Sequence, residues 1–406
     1  MKILVVVGAR PNFMKAAPIL KAIREFNATR GEWTHTLTPV LVHTGQHYDS
    51  KMSDAFFADL DMPQPDVFLG AGSGTHAEQT AEIMKSFEPV LVREAPDALL
   101  VVGDVNSTLA CALVAAKIPH STRPLVAHVE AGLRSFDRDM PEEINRILTD
   151  RLSDLLFVTE KSGLRNLQAE GVPCDQIHFV GNTMIDSLRE YEARAEMSPV
   201  LDRLGVRKGE YVLLTLHRAA NVDRRESFIE ILEGLRDISQ TSRIIFPAHP
   251  RTQKQIAEMR LEPFFHWNAT SPGIQITDPQ GYLDFLCLMK HARLVVTDSG
   301  GVQEETTALG VPCVTLRDNT ERPVTIECGT NILGGTQRQS IRQAVRNQLA
   351  RRHNSGVPEL WDGRAAARIV GILAERLNNS LPHFVQEVPL AAFGSAAEGQ
   401  TQENAR

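Results

Sequence analysis

Residues 293–305 read RLVVTDSGGVQEE. An apolar, β-branched run stops at Thr297-Asp298, a Ser-Gly-Gly turn follows, and a helical pattern begins. A strand that passes into a helix through a glycine turn is the repeating unit of a doubly wound α/β sheet. The free backbone N–H groups at such a helix start suit a diphosphate, and glycine lets the ligand come close. Ser299, Gly300 and Gly301 are therefore candidate diphosphate-binding residues. Glu305, one turn into the helix, can accept hydrogen bonds from a ribose diol. Arg322, in the loop DNTERP (318–323), brings a cation towards the same helix. The competing reading of Ser-Gly-Gly is an ordinary tight turn.

The same rhythm runs through the chain. Strands are predicted at 3–7, 39–43, 98–102, 124–129 and 155–159, and a second series at 178–181, 211–216, 243–248, 274–277, 293–297 and 313–317. They are continuous apolar runs rather than alternating ones, as expected of strands covered on both faces in a parallel sheet. Amphipathic stretches such as NFMKAAPILKAIREF (12–26) and VNSTLACALVAAK (105–117) lie between them. The pattern predicts two doubly wound, Rossmann-like domains, at 1–170 and 171–362, facing across a central cleft. A helix over 363–383 is expected to pack back across both, and 384–406 to form a disordered tail.

Composition narrows the function. The 406 residues are 42% hydrophobic and 23% charged, enough for sizeable cores. A formal net charge of −7 and a pI of about 6.0 argue against a nucleic-acid partner, so phosphate must be held by local groups. The five cysteines are scattered, without a C-x-x-C, which argues against a zinc site or a disulfide framework and for a reducing compartment. The first apolar run is too short for a signal segment, and no run approaches membrane-spanning length. A metal-free, cytoplasmic protein without membrane insertion is expected.

Most candidate site residues sit where predicted strands end. Strand 3–7 runs into Gly8-Ala9-Arg10-Pro11-Asn12 and a helix carrying Lys15. Arg10 offers a two-pronged guanidinium and Lys15 a point charge for an anion. The alternative is a plain βα turn with two solvated cations. Asp104 follows strand 98–102, and a helix N-cap is its alternative role. Glu130 follows an apolar strand directly, and Met140-Pro141-Glu142-Glu143 opens a helix, where acids also serve structurally. Three carboxylates aimed into one cleft can move protons on and off carbon or oxygen. From the second half, His217 and His249 end strands pointing at the same cleft.

In chain order, GARPNFMKAAP (8–18), TGQHYD (44–49), VVGDVNST (101–108), HVEAGLRS (128–135), MPEEINR (140–146), TLHRAAN (215–221), DPQGYLDF (278–285), TDSGGVQEE (297–305) and TERP (320–323) resemble the UDP-N-acetylglucosamine 2-epimerase family, in its non-hydrolysing bacterial branch. The resemblance implies a GT-B-like fold. Residue by residue, it implies that Asp104, Glu130, Glu142 and His217 form the catalytic set. It places Arg10 and Lys15 at the phosphates or the cleft around them, and Gln280 and Phe285 at the uracil. Ser299, Gly300 and Gly301 would hold the diphosphate, Glu305 the ribose, and Arg322 the nucleotide side. It implies interconversion of UDP-GlcNAc and UDP-ManNAc by anti-elimination of UDP to 2-acetamidoglucal and re-addition, for surface polysaccharide. No cofactor is implied, and a homodimer is. Gln46-His47 matches a motif near which some members bind an activating second UDP-GlcNAc. Asn12 and Ala220 stand where the family often has Glu, which opens the alternative of a modified UDP-hexosamine such as a diacetamido uronic acid. A GT-B glycosyltransferase is the alternative from another reaction class.

Overall fold

The computed structural model of the chain describes residues 1–29, 31, 35–46, 59–265, 273–351 and 356–380. His47 and the tail expected at 384–406 lie outside the described residues, as does the Arg10 side chain.

Two parallel sheets form the frame. The first contains β1 (Lys2–Val7), β2 (Thr38–His43), β3 (Val67–Phe68), β4 (Ala98–Val102), β5 (Leu125–Ala131), β6 (Leu155–Val158) and β7 (Ile177–Phe179), in the order β3-β2-β1-β4-β5-β6-β7. The second contains β8 (Tyr211–Thr215), β9 (Arg243–Pro247), β10 (Ile274–Thr277), β11 (Leu294–Thr297), β12 (Cys313–Thr315) and β13 (Asn331–Leu333), in the order β10-β9-β8-β11-β12-β13. The helices that shape the site are α1 (Arg10–Thr29), α2 (His76–Glu94), α3 (Asn106–Lys117), α4 (Pro141–Leu152), α5 (Thr183–Glu196), α6 (Tyr282–Lys290), α7 (Gly300–Leu309) and α8 (Ala365–Ser380).

The continuous apolar strands are explained by burial on both faces. Ile3, Val5 and Val7 point into one core and Leu4 and Val6 into another, because successive strand side chains alternate. In the second sheet, Leu213 and Leu214 divide in the same way. α8 lays Ile369, Val370, Leu373 and Leu377 into the core that holds Phe13, Ile19 and Ile23 of α1. Each such fully buried side chain contributes about 1.5–3 kcal/mol. Asp186 of α5 caps α8, accepting from the Ala365 and Ala366 amides at 3.1 and 2.7 Å. Among the described residues, no helix is long and apolar enough to cross a membrane.

One strand differs from the sequence expectation. The run at 178–181, placed in the second series, forms β7 and pairs in parallel with β6 of the first sheet. The first sheet therefore extends past residue 170. Apolar patterning marks a strand but not its partner, and the short helical connection over Lys161–Ala169 returns the chain beside β6. The edge strands β3 and β13 escaped the sequence reading because they are only 2 and 3 residues long.

Strand order determines where a ligand can sit. In the first sheet the winding direction reverses between β1 and β4, and in the second between β8 and β11. Loops leaving such switch points part from one another and open a crevice at the strand C-terminal ends. Gly8–Lys15 and Asp104 follow the first pair of strands, and His217 and Ser299–Gly301 follow the second.

Candidate active site

The turn after β1 is organised by Asn12. Its Oδ1 accepts from the Gly8 and Ala9 amides at 3.2 and 3.0 Å, and its Nδ2 donates to the Val102 carbonyl at 2.9 Å. This ties the end of β1 to the end of β4 and stands Lys15 inward, 5% exposed. Gly103 lies against the same group at φ +72°. A Cβ there would stand 3.2 Å from Asn12 Nδ2, 3.3 Å from Lys15 Nζ and 3.4 Å from Glu130 Oε2. Glycine at 103 is what permits this convergence.

Glu130, near the end of β5, is 4% exposed and adopts φ +76°, beside an irregularity in the β5–β6 register. A left-handed backbone at a non-glycine residue costs about 1–3 kcal/mol and persists where the surroundings over-determine it. The Glu130 carboxylate lies between two cations. Lys15 Nζ donates to Oε2, and Arg322 Nη2 donates to Oε1 at 2.8 Å.

The other carboxylates of the first unit differ in how they are held. Asp104 is paired with Arg146 of α4. Burial pushes its carboxyl up, but Arg146, Lys15 and Arg322 together hold it below the usual range. Asp104 is not a helix cap: Val105 occupies that position and makes no side-chain cap bond. Glu143 is structural. Its carboxylate accepts from the Ser135 and Phe136 amides, both at 2.9 Å, and from Arg146 Nη2 at 2.7 Å. Glu142 is half-buried and makes no hydrogen bond or ion pair with the described residues, and its charge acts on His217 and Arg218 across the cleft.

In the second unit, His217 Nδ1 lies 2.8 Å from Asp298 Oδ1. The His217 side chain is 58% exposed while Asp298 is fully buried. Asp298 also accepts from the His217, Arg218 and Asn221 groups around it. Desolvation works against charging His217, yet the Asp298 charge and hydrogen bond outweigh it and raise the imidazole above its usual range.

Arg322 sits in the densest charge cluster. Besides Glu130 it pairs with Glu304 through Nε at 2.8 Å and with Glu321, which also pairs with Arg317 at 2.7 Å. Burial lifts the Glu304 carboxyl to about 7 despite Arg322. Glu321 is held far below the usual range: burial opposes its ionisation, but Arg322 and Arg317 prevail. A Cβ on Gly300 would lie 2.4 Å from Arg322 Nη1, so the Ser299–Gly301 turn at the start of α7 abuts this guanidinium. Glu305 is buried against Tyr282, whose hydroxyl donates to Oε1 at 3.3 Å, and burial pushes its carboxyl to about 8.

The remaining sequence-predicted residues are less central. Phe285 of α6 packs partly buried on the core, and Gln280 is held by Arg203 at 2.6 Å. His249 is exposed beyond β9, and its ring accepts from the Arg251 amide. Gln46 is buried and anchors the start of α3, accepting from the Ser107 amide and hydroxyl at 3.1 and 2.6 Å. A concavity of about 600 Å³ between α1, α5 and α8 is lined by none of these candidate residues. The charged groups instead meet across the cleft, Glu130 against Arg322. Sequence reasoning missed Arg146, Asp298, Glu304 and Glu321 as members of the cluster. All four stand inside quoted motifs, beside residues that were singled out.

The family model described as UDP-N-acetylglucosamine 2-epimerase matches residues 32–374. The UDP-N-acetylglucosamine 2-epimerase of Methanocaldococcus jannaschii is 44% identical over 384 residues, covering 92% of this chain and 99% of that one. The UDP-2,3-diacetamido-2,3-dideoxy-D-glucuronate 2-epimerase of Pseudomonas aeruginosa is 41% identical, covering 92% of this chain and all of that one. The crystal structure of the M. jannaschii UDP-GlcNAc 2-epimerase in complex with UDP-GlcNAc and UDP superposes with a TM-score of 0.84 at 43% identity, over 92% of this chain and 100% of that one.

Proposed function

The chain belongs to the UDP-N-acetylglucosamine 2-epimerase family, and on that footing we propose that its cleft takes UDP-GlcNAc and inverts the configuration at C2 of the sugar. The observation that carries this is the Glu130–Arg322 pair at 2.8 Å, with Arg322 packed against Gly300. It brings the acids of the first unit to the phosphate cradle of the second.

The chemistry follows from the sugar. The C2 hydrogen is weakly acidic, so its removal must be coupled to cleavage of the C1–O bond. A base takes the C2 proton, the C–H pair becomes the C1=C2 bond, and the C1–O pair leaves on UDP, giving 2-acetamidoglucal. In the return step the UDP oxygen re-forms the bond to C1, and a proton reaches C2 from the other face, giving UDP-ManNAc. Two faces require two proton-handling groups. Asp104, Glu130, Glu142 and His217 are the set we assign. Among the described residues Glu142 is the member without an ion pair, and His217 is held ready to donate by Asp298. The negative charge on departing UDP meets the start of α7 and the Arg322 guanidinium. We assign Glu305 to the ribose, and Gln280 and Phe285 to the base. The same proposal takes a cytoplasmic homodimer, which sedimentation of the purified protein checks.

Incubation with UDP-GlcNAc in D₂O tests the reaction. Deuterium at C2 of both epimers, without an acceptor, is the expected result. Sugar transfer only on addition of an acceptor, with no exchange, would identify a glycosyltransferase instead. A second substrate class is favoured by one observation, the neutral Asn12 in the turn after β1, together with 41% identity to the P. aeruginosa diacetamido-glucuronate epimerase. NMR of products from a small panel of UDP-hexosamines separates the two.

A further inference from the structure

Glu130 holds a left-handed backbone, φ +76°, that an L-residue does not choose unaided. What holds it there is a buried charged group that the proposed reaction does not use. His128 and Asp150 are almost wholly inaccessible, and Arg134 nearly so. Asp150 Oδ1 accepts from His128 Nδ1 at 2.6 Å. Its Oδ2 accepts from the Gly132 amide at 3.1 Å and lies 2.7 Å from Arg134 Nη2. His128 Nε2 donates to the Gly103 carbonyl at 2.8 Å. Both partners of the ring are acceptors, a carboxylate and a carbonyl, so it donates from both nitrogens. Burial alone would raise the Asp150 carboxyl, but His128 and Arg134 hold it low.

The His128 and Gly132 bonds close on either side of Glu130. His128 and Gly132 flank it two positions away on either side. Gly103, which His128 grips by its carbonyl, donates its own amide to Val129 at 3.0 Å. Asn166 Nδ2 adds a bond to the Gly132 carbonyl at 2.9 Å. Gly132 has φ +81°, and a Cβ there would come within 2.6 Å of the Gly163 carbonyl oxygen, so only glycine fits at this turn.

We propose that Asp150 is a positioning residue for Glu130: through His128 and the Gly132 amide it pins the chain on both sides of the left-handed turn and aims the Glu130 carboxylate between Lys15 and Arg322. The inference rests on the assignment of Glu130 to the reacting set. A buried carboxylate held by three donors is ordinarily a stabilising feature alone. Here it differs because two of its three donors, His128 and the Gly132 amide, lie two positions from the strained residue, one on each side.

Asp150→Asn keeps the volume and an oxygen for the Gly132 amide but places an N–H against donors. It should lower kcat about 30-fold or more, while KM for UDP-GlcNAc and affinity for UDP stay within about twofold. Active sites are counted by UDP-binding stoichiometry, so misfolded protein does not contribute. In a Glu130→Gln background the same substitution should cost almost nothing further, because it acts through a group already removed. Full kcat in Asp150→Asn, or an equal loss in both backgrounds, overturns the proposal. If Asp150→Asn does not fold, His128→Gln, which can still donate to the Gly103 carbonyl, is put through the same cycle and read in the same way. Near-normal turnover in Glu130→Gln itself would remove Glu130 from the reacting set, a distinct failure.

Discussion

Glu130 Oε1 accepts a hydrogen bond from Arg322 Nη2 at 2.8 Å, joining β5 of the first sheet to the loop after β12 of the second, 192 positions along the chain. The contact holds the cleft together from inside. Arg322 faces Glu130, Glu304 and Glu321 at once, so a diphosphate arriving at the start of α7 meets a cation already shared among carboxylates. Binding must redistribute those pairs.

Arg322 is therefore needed as a fork and not only as a charge. Arg322→Lys should weaken UDP binding about tenfold or more and lower the melting temperature. Breaking a buried pair costs about 3–5 kcal/mol. Adding Glu304→Gln should recover part of the melting temperature, since one uncompensated carboxyl is removed. Calorimetric titration with UDP and thermal unfolding check both, and unchanged UDP affinity would withdraw Arg322 from the nucleotide site.

Adjacent carboxylates on α4 should respond in opposite ways. Glu142 makes no hydrogen bond with the described residues, so Glu142→Gln should melt close to the wild type while turnover falls about 100-fold or more. Glu143 holds two amides and Arg146, so Glu143→Gln should destabilise the fold by about 1–3 kcal/mol. Denaturant melts and steady-state kinetics on the two variants compare them directly.

Asp298 raises the imidazole of His217, so it keeps the ring protonated to higher pH. In Asp298→Asn the ring loses its proton at lower pH. The limb of the kcat/KM profile that reports His217 should move to the acid side. A limb that stays put, or moves to the alkaline side, would show that another group titrates there.

Glu305 has a folded-state value of about 8, above its ordinary value of 4.5. Its neutral form is favoured in the folded chain, so its contribution to stability is complete below about pH 4.5 and is lost as pH rises through about 8. Glu305→Gln cannot charge. Its melting temperature should therefore fall less than that of the wild type between pH 5 and pH 8.5. UDP binding by the variant should weaken as well, through the ribose contact.

Much of this site was visible before folding was considered. Asp104, Glu130, His217 and Ser299 each follow a strand, and strand ends are where doubly wound sheets place ligands. Helix chemistry did not separate Glu142 from Glu143, since both satisfy the preference for acids in a first helical turn, and only the family resemblance singled out Glu142. Their difference arises from Ser135 and Phe136, whose amides turn back onto Glu143 alone. Asp298 read as part of a turn, and its role beneath His217 appears only once β8 and β11 lie side by side.

The sequence by itself determined the alternation of strand and helix, because apolar patterning and turn chemistry act over a few residues, and its ordered motifs supplied the candidate reacting side chains through their resemblance to a family. It did not determine that β7 closes the first sheet, that Glu130 is turned left-handed, or that Arg322 reaches it. Those depend on partners 21 to 192 positions away, set by which faces find burial together and which buried charges find a counter-charge. Burial and ion pairing are properties of the assembled chain, and only tertiary structure supplies them.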